Sequence, residues 1–494
     1  MRRDIDVMAE IAFIYPQIAL WVGACVLLLL SRPLRRVTLP GASAALAGVA
    51  LLASLACLVR QGNEGLNAIA FGGSIAGDPL TASICTILLL CGLMAVALAP
   101  TYLAARGYDN PEYYVLLLTS LSGAMLMSMA RDLVVVFLGI ELLSFGLYIM
   151  TGFVREDARG GEASLKYFLL GAFASALMLY GIVLVYGSSG STNIDVLRSA
   201  VIKESVQSAM FAGGLALVLI GLAFKAAVAP FHQWSPDAYE GAPLPVTAFM
   251  SVVAKIAAFA VLIRLADSLA PLHATWLPAV RLLAIVSMLV GNVIAVAQRN
   301  LKRMLAYSGV AHAGYLMVAV ASLGASHAKG AALDTQTLAM SGAVFYLLAY
   351  AIMTMGAFAV LTYITGSGAE CQTLADLKGL ARRRPAAAYG MAALMLSLGG
   401  VPPTIGFMGK LQIFWAAVAG REMALAVTLA LVSVVAACYY LRVILTMCFE
   451  ETGAEPATTS APRAAGWVVA VSAAAVLVLG MMPGLLMGVI GMVR

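Results

Sequence analysis

Long apolar runs alternate with short polar connections along the whole chain. Crossing roughly 30 Å of hydrocarbon takes about 20 mostly apolar helical residues, and about fourteen runs meet that length. They lie near 11–30, 38–60, 79–100, 112–129, 132–154, 164–186, 208–229, 243–266, 276–297, 302–323, 338–365, 386–419, 423–447 and 465–490. The longest polar connections, around 187–207, 366–385 and 450–464, are too short to fold alone. The pattern predicts an all-α integral membrane protein whose helices pack directly on one another. Abundant Gly and Ala positions permit close approach.

Two runs are broken by proline. In LAFKAAVAPFHQW, Pro230 has no amide hydrogen and leaves the carbonyl of Ala226, four residues back, without its helical donor. In LSLGGVPPTIGFMGKLQIF, Pro402 and Pro403 do the same to Leu398 and Gly399, where glycines permit bending. Irregular backbone at membrane depth survives only when buried in protein or facing water. Broken helices at matching places in two halves point to an ion route. One break falls in spans four to eight and the other in spans nine to thirteen. Five is odd, so two such repeats would run inverted in the membrane. The chain then divides into a three-helix segment (1–107), a first five-helix repeat (108–267), a second (268–449) and a last helix (450–494).

Composition agrees. Apolar residues make up 62% and charged residues 11%, with mean hydropathy +0.96, against about 45–50% and 25% in soluble domains. The net charge of +6 is spread over short loops, which fits topology better than nucleic-acid binding. The side holding RPLRR, Arg106, Arg155, Arg159, QRNLKR, Lys378, ARRRP and Arg463 has more Lys and Arg than the other. It is expected to be cytoplasmic, with both termini periplasmic. Arg2 and Arg3 ahead of an apolar run resemble a signal peptide. Asp4, Asp6 and Glu10 intervene, however, and RPLRR closes the run, so it reads as a retained span. The seven cysteines include no CxxC pair and read as apolar core residues, not as iron–sulfur or zinc ligands. There is no Gly-rich phosphate loop, nucleophile triad or zinc motif, and TGSGAE at 365–370 lacks a strand–helix context.

A cation at the bilayer centre costs about 2.5–3.5 kcal/mol on insertion scales, so ionisable residues inside the runs are the candidates. Glu141 stands alone in its run with Ser144 and Tyr148 on the same helical face; a structural carboxylate is the plainer alternative. Lys166 opens its run, where snorkelling to the interface competes with function. Lys225 lies five residues before Pro230, at an opening where it could exchange a proton under the influence of a carboxylate such as Glu141. That requires contact between spans five and seven. His232 beside the break could relay protons near neutral pH or be structural, and no second histidine lies close enough for a metal pair. Lys255 continues a stripe with Thr247 and Ser251, His312 lies with Ser308 and Tyr315, and Tyr346, Tyr350 and Thr354 form another stripe. One stripe can simply satisfy interhelical hydrogen bonds; several favour a continuous polar axis. Lys410 follows the second break, whereas Arg442 near a span end reads as snorkelling.

Glu141, Lys225, HQWSPDAYEGAP, Lys255, QRNLKRMLAYSGVAHAGY and PPTIGFMGK together resemble the antiporter-like membrane subunits of respiratory complex I, the NADH-quinone oxidoreductase, over nearly the whole chain. Within that family the subunit N branch is the most similar. The chain stops without the long lateral helix of the largest paralogue, and Lys410 stands where subunit M typically has glutamate. The resemblance implies two inverted half-channels joined by a polar axis. Glu141 and Lys225 would form a charge pair with Lys166 next to them, Lys255 and His312 would carry the signal on, and Lys410 would serve the second half-channel. It implies no cofactor in this chain: FMN, iron–sulfur clusters and the quinone site would belong to partner subunits of a bacterial inner-membrane complex. Direct partners would be neighbouring antiporter-like and small membrane-arm subunits, and the lipid bilayer. Two rivals share the layout: a subunit of a stand-alone multisubunit cation/proton antiporter, and a hydrogenase-like scaffold whose ionisable residues are vestigial.

Overall fold

The computed structural model describes residues 7–31, 41–65, 67–202, 209–328, 333–366, 368–451 and 462–485. The RPLRR cluster and the residues Arg2, Arg3, Asp4 and Asp6, used above for topology, lie outside the described residues. The described α-helices are α1 (Val7–Ala12), α2 (Tyr15–Leu29), α3 (Ala42–Asn63), α4 (Pro79–Ala104), α5 (Pro111–Met129), α6 (Leu133–Thr151), α7 (Ala158–Ser189), α8 (Ile194–Ile202), α9 (Ala209–Lys225), α10 (Trp234–Gly241) and α11 (Leu244–Ser268). They continue as α12 (His273–Ala297), α13 (Leu301–Ala328), α14 (Leu333–Thr365), α15 (Leu380–Arg383), α16 (Pro385–Gly399), α17 (Ile405–Ala419), α18 (Met423–Phe449) and α19 (Arg463–Met481).

A helix lies at each predicted run, and the ends follow local chemistry. Asp78, Asp132 and Asp157 cap α4, α6 and α7 by accepting backbone amides of the first turn. Gly190, at φ +73°, stops α7. Besides the short helices α8, α10 and α15, the apolar pattern misses a short antiparallel hairpin pairing Ala68–Ala70 with Ile75–Gly77. Its strands are three residues each, too short for any periodicity to register.

Ten helices among the described residues are long and apolar enough to cross a membrane; α2, α9, α16 and α17 are shorter apolar helices. The last three of these adjoin the two breaks, which is why they fall short. Burial sorts the helices into layers. Helices α11, α13 and α14 are almost wholly enclosed, whereas α7, α12 and α18 show most of their surface outside. On α7, Leu169, Phe173 and Tyr180 point outward. Apolar patches of that kind suit lipid or partner subunits, not water. The centre belongs to α11, which packs against α4, α5, α6, α9, α13 and α14. A helix carrying Lys255 and Arg264 must be wrapped in protein to keep both charges out of hydrocarbon.

Candidate functional site

The first break begins earlier than its proline requires. Helix α9 stops at Lys225, and Ala227 then adopts φ +56°. The Trp234 indole donates to the Phe224 carbonyl at 2.8 Å, and the Ala229 amide donates to Ser287 Oγ of α12 at 2.9 Å. These side chains satisfy backbone groups that the helix has released. As the terminal residue of α9, Lys225 turns into the bundle with 2% of its surface exposed. Its Nζ donates to Ser144 Oγ at 2.7 Å and Tyr167 OH at 3.2 Å, near the faces of the Tyr148 and Tyr167 rings. Trp234 stacks on Tyr167 at 4.3 Å and fixes that ring. Spans five and seven do meet, through Ser144.

Glu141 is half-buried and accepts a hydrogen bond from Ser175 Oγ of α7 at 2.5 Å. Among the described residues no ion pair within 4.0 Å joins it to Lys225. Ser144, one turn along α6 from Glu141, receives the ammonium instead and passes its own hydrogen to the Ile140 carbonyl, so the two charges lie on neighbouring turns without a shared hydrogen bond. Lys166 is not beside them. It is 49% exposed and pairs with Glu162 at 2.7 Å and Asp237 at 3.4 Å. Asp237 and Glu240 also hold Arg303, at 2.7 and 2.8 Å, forming a charged cluster at one end of the bundle. His232 is half-buried with its ring edge-on to Tyr307 of α13, 6.0 Å between centroids.

Lys255, 2% exposed, lies in the middle of α11. Its Nζ donates to the Gly309 carbonyl and to Tyr350 OH at 3.3 Å; the Tyr350 hydroxyl donates in turn to the Ser251 carbonyl at 3.2 Å. Gly309 leaves room for this approach, since a Cβ would lie 2.9 Å from the ammonium and push it aside. Thr247, on the same stripe, has its hydroxyl among the carbonyls of Tyr239, Ala242 and Pro243, where it closes the end of α10. His312 sits between two tyrosines, with Nδ1 2.7 Å from Tyr346 OH and Nε2 3.2 Å from Tyr440 OH. Ser308 Oγ also bonds to Tyr440 OH.

Lys410, 6% exposed, donates to the carbonyls of Leu398 and Gly399, each at 3.0 Å, and its Nζ lies 5.1 Å from the centre of the Tyr315 ring. Gly400, at φ +81°, leaves room for it, since a Cβ there would meet Lys410 Cδ at 2.9 Å.

Three buried lysines thus share one property. Among the described residues, Lys225, Lys255 and Lys410 have no carboxylate within 4.0 Å; hydroxyls, carbonyls and ring faces surround them. Other buried cations are paired. Arg264 meets Asp78 at 2.5 Å, and Lys302 meets Glu370 at 2.5 Å while donating to the Ala242 carbonyl at 2.7 Å. Lys302 corrects the reading of QRNLKR as a loop charge cluster: it lies 1% exposed at the start of α13. Arg442 does not simply reach for the interface. It donates to the carbonyls of Val296 and Gln298 and so caps α12.

Several members of the network escape sequence reasoning. Tyr167, Ser175, Ser287, Asn292, Tyr439 and Tyr440 are single polar positions inside apolar runs, and only the YY pair at 439–440 gives a visible signal. No group of three or more His, Cys, Asp or Glu residues among the described residues is placed to hold a metal ion.

Residues 130–436 match the family described as NADH:quinone oxidoreductase/Mrp antiporter, transmembrane region. NADH-quinone oxidoreductase subunit N 1 of Sorangium cellulosum is 44% identical over 83% of this chain and 82% of its own. Subunit N of Myxococcus xanthus is 38% identical over 97% and 96%. Among solved structures, a chain of respiratory complex I from Thermus thermophilus superposes with TM-score 0.80 at 34% identity, covering 96% of this chain and 98% of that one. A chain of the Mrp complex from Dietzia sp. gives TM-score 0.81 at 21% identity over 98% and 97%, a likeness of fold alone.

Proposed function

The chain belongs to the NADH:quinone oxidoreductase/Mrp antiporter family of membrane subunits, and from that premise we propose how its buried charges act. It works as a proton-translocating membrane-arm subunit of an NADH-quinone oxidoreductase, with other subunits of that complex as partners. FMN, iron–sulfur clusters and quinone reside in those partners, which deliver the redox energy. The complex lies in the bacterial inner membrane, with both termini on the periplasmic side.

One observation carries the assignment of residues: Lys225, Lys255 and Lys410 are buried without a carboxylate, while Lys302 and Arg264 are buried with one. Leaving a charge buried and uncompensated is expensive. An unpaired lysine can shed that cost by releasing its proton, whereas a paired one is held charged. The three lysines are therefore the proton carriers and the two ion pairs are structural.

In the first half, 108–267, a charge change at Glu141 is felt by Lys225 through space, one helical turn away, while the Ser144 and Tyr167 hydroxyls hold the ammonium. Lys166 and His232 sit towards the charged end of the bundle, where they serve the mouth of this half-channel. In the second half, 268–449, His312 stands between the Lys255 and Lys410 sides, packed against the Tyr350 ring that faces Lys255 and the Tyr315 ring that faces Lys410. The two halves act as inverted repeats, each with one broken helix. The energies are compatible: moving one charge across 100 mV takes about 2.3 kcal/mol, less than a shift of two pKa units.

Substituting Lys225 by alanine in the assembled complex and measuring the H⁺/e⁻ ratio tests the reading. Loss of pumping is expected; a normal ratio would overturn it. Sodium-dependent transport without NADH oxidation would favour the stand-alone antiporter. The NADH-quinone oxidoreductase subunits to which the chain is 38% identical or more support the first reading.

A further inference from the structure

Helix α10 has eight residues and is about 12 Å long. A helix that short does not hold itself in isolation, so its place is set by whatever grips it. Its first residue, Trp234, is buried in the first half. The indole donates to the carbonyl of Phe224, the residue before Lys225, and the ring stacks on Tyr167, whose hydroxyl receives the Lys225 ammonium. Towards the other end, Asp237 and Glu240 lie one turn apart on the same face. Both are held from the second half, by the first turn of α13. One nitrogen of Arg303, Nη1, donates to Asp237 Oδ1 at 2.7 Å and to Glu240 Oε2 at 2.8 Å. Asn300 accepts the Lys302 and Arg303 amides at Oδ1, which leaves Nδ2 to donate to Glu240 Oε1 at 3.1 Å. Lys302 donates to the carbonyl of Ala242, the residue that ends α10, at 2.7 Å. From the first half, half-exposed Lys166 reaches Asp237 at 3.4 Å.

We infer that Arg303, with Asn300 and Lys302 beside it, is a positioning residue for Lys225: by holding α10, the second half of the chain sets the surroundings of the first half's proton carrier. This rests on the proton-translocating reading above. Every link is a direct contact. Arg303 holds the two carboxylates of α10, Trp234 at the head of α10 holds Tyr167 and the Phe224 carbonyl, and Tyr167 holds the ammonium. A surface cluster serving solubility alone would not need three side chains from one turn converging on one short helix. Releasing the carboxylates lets α10 shift, and Trp234 shifts with it. The hydroxyl that Tyr167 presents to Lys225, and the backbone beside that lysine, then lose their support.

The test uses the whole complex in sealed vesicles, with the H⁺/e⁻ ratio measured during NADH oxidation. R303Q removes the cation, and the ratio should fall towards that of Lys225→Ala. D237N/E240Q removes the same ion pairs at nearly unchanged volume and carries the test should R303Q fail to assemble. Both bonds of Arg303 come from one nitrogen, so R303K, which offers one ammonium, should recover the ratio. W234F loses the indole donor at the other end of α10 and should lower the ratio as well. Because both changes act on one route, R303Q/W234F should be no worse than the worse single variant. A wild-type ratio in R303Q or D237N/E240Q, no recovery in R303K, or losses that add in the double variant would overturn the positioning role. Lys225→Ala in the same vesicles checks the premise separately: if it pumps normally, the functional reading fails whatever Arg303 does.

Discussion

The Lys410 ammonium donates to the carbonyls of Leu398 and Gly399, the two acceptors that Pro402 and Pro403 leave without a helical donor. The break and the lysine are thus one device. The prolines create acceptors inside the bundle, and the lysine satisfies them only when its side chain is drawn into the gap. A neutral amine still donates two hydrogens, so the bonds survive loss of the proton.

This predicts a double effect for Lys410→Met. Proton pumping should be nearly abolished, and two buried carbonyls should lose a donor. Each unsatisfied group costs about 1–3 kcal/mol, so the thermal unfolding of the purified complex should also shift downward. Lys410→Ala with wild-type pumping and stability would contradict both.

Ser144 should matter as the hydroxyl that accepts the Lys225 ammonium. Hydrogen bonds to charged groups are worth about 1.5–3 kcal/mol, a factor of roughly ten or more. Ser144→Ala should slow coupled turnover by about that factor. Glu141→Gln should be more severe because it removes the charge itself. NADH oxidation and pumping rates in membranes distinguish the two.

Lys166 should behave differently from Lys225. It is half exposed and paired at the surface, where ion pairs contribute at most about 1 kcal/mol. Lys166→Ala should leave the H⁺/e⁻ ratio intact and change the rate by a few-fold at most.

The Asp78–Arg264 pair should show in acid. Burial pushes the Asp78 carboxyl up, but hydrogen bonding and charge from Arg264, with help from Thr81, outweigh it and hold the carboxyl below its usual value. A depressed carboxylate stabilises the folded state above the ordinary carboxylate pKa, and that stability is lost as pH falls through the folded value. Asp78→Asn should destabilise by about 3 kcal/mol at neutral pH and flatten this acid dependence. Thermal unfolding from pH 7 down to pH 3 is the measurement.

Much of the site was legible because insertion into lipid makes ionisable residues conspicuous. Glu141, Lys225, Lys255, His312 and Lys410 each stand out against an apolar background, and the prolines announced both breaks. The sequence could not rank the charges. Lys302 looks like a loop residue in QRNLKR, yet it is more deeply buried than Lys410. Lys166 looks like a candidate, yet its partners lie at the surface. The difference lies in contacts between helices far apart in the chain, such as Lys302 with Glu370, 68 residues away.

Sequence alone determined that the chain is a helical membrane bundle, roughly where its apolar helices lie, and which side chains pose an electrostatic problem. Those follow from local composition, because hydrocarbon demands long apolar helices with satisfied backbones. Only the tertiary structure decided which buried cations have a carboxylate, that Ser144 and not Glu141 receives the Lys225 ammonium, and that Asn292 stands between two tyrosines. Pairing depends on distances of a few ångströms between side chains on different helices, and one-dimensional spacing carries no information about those.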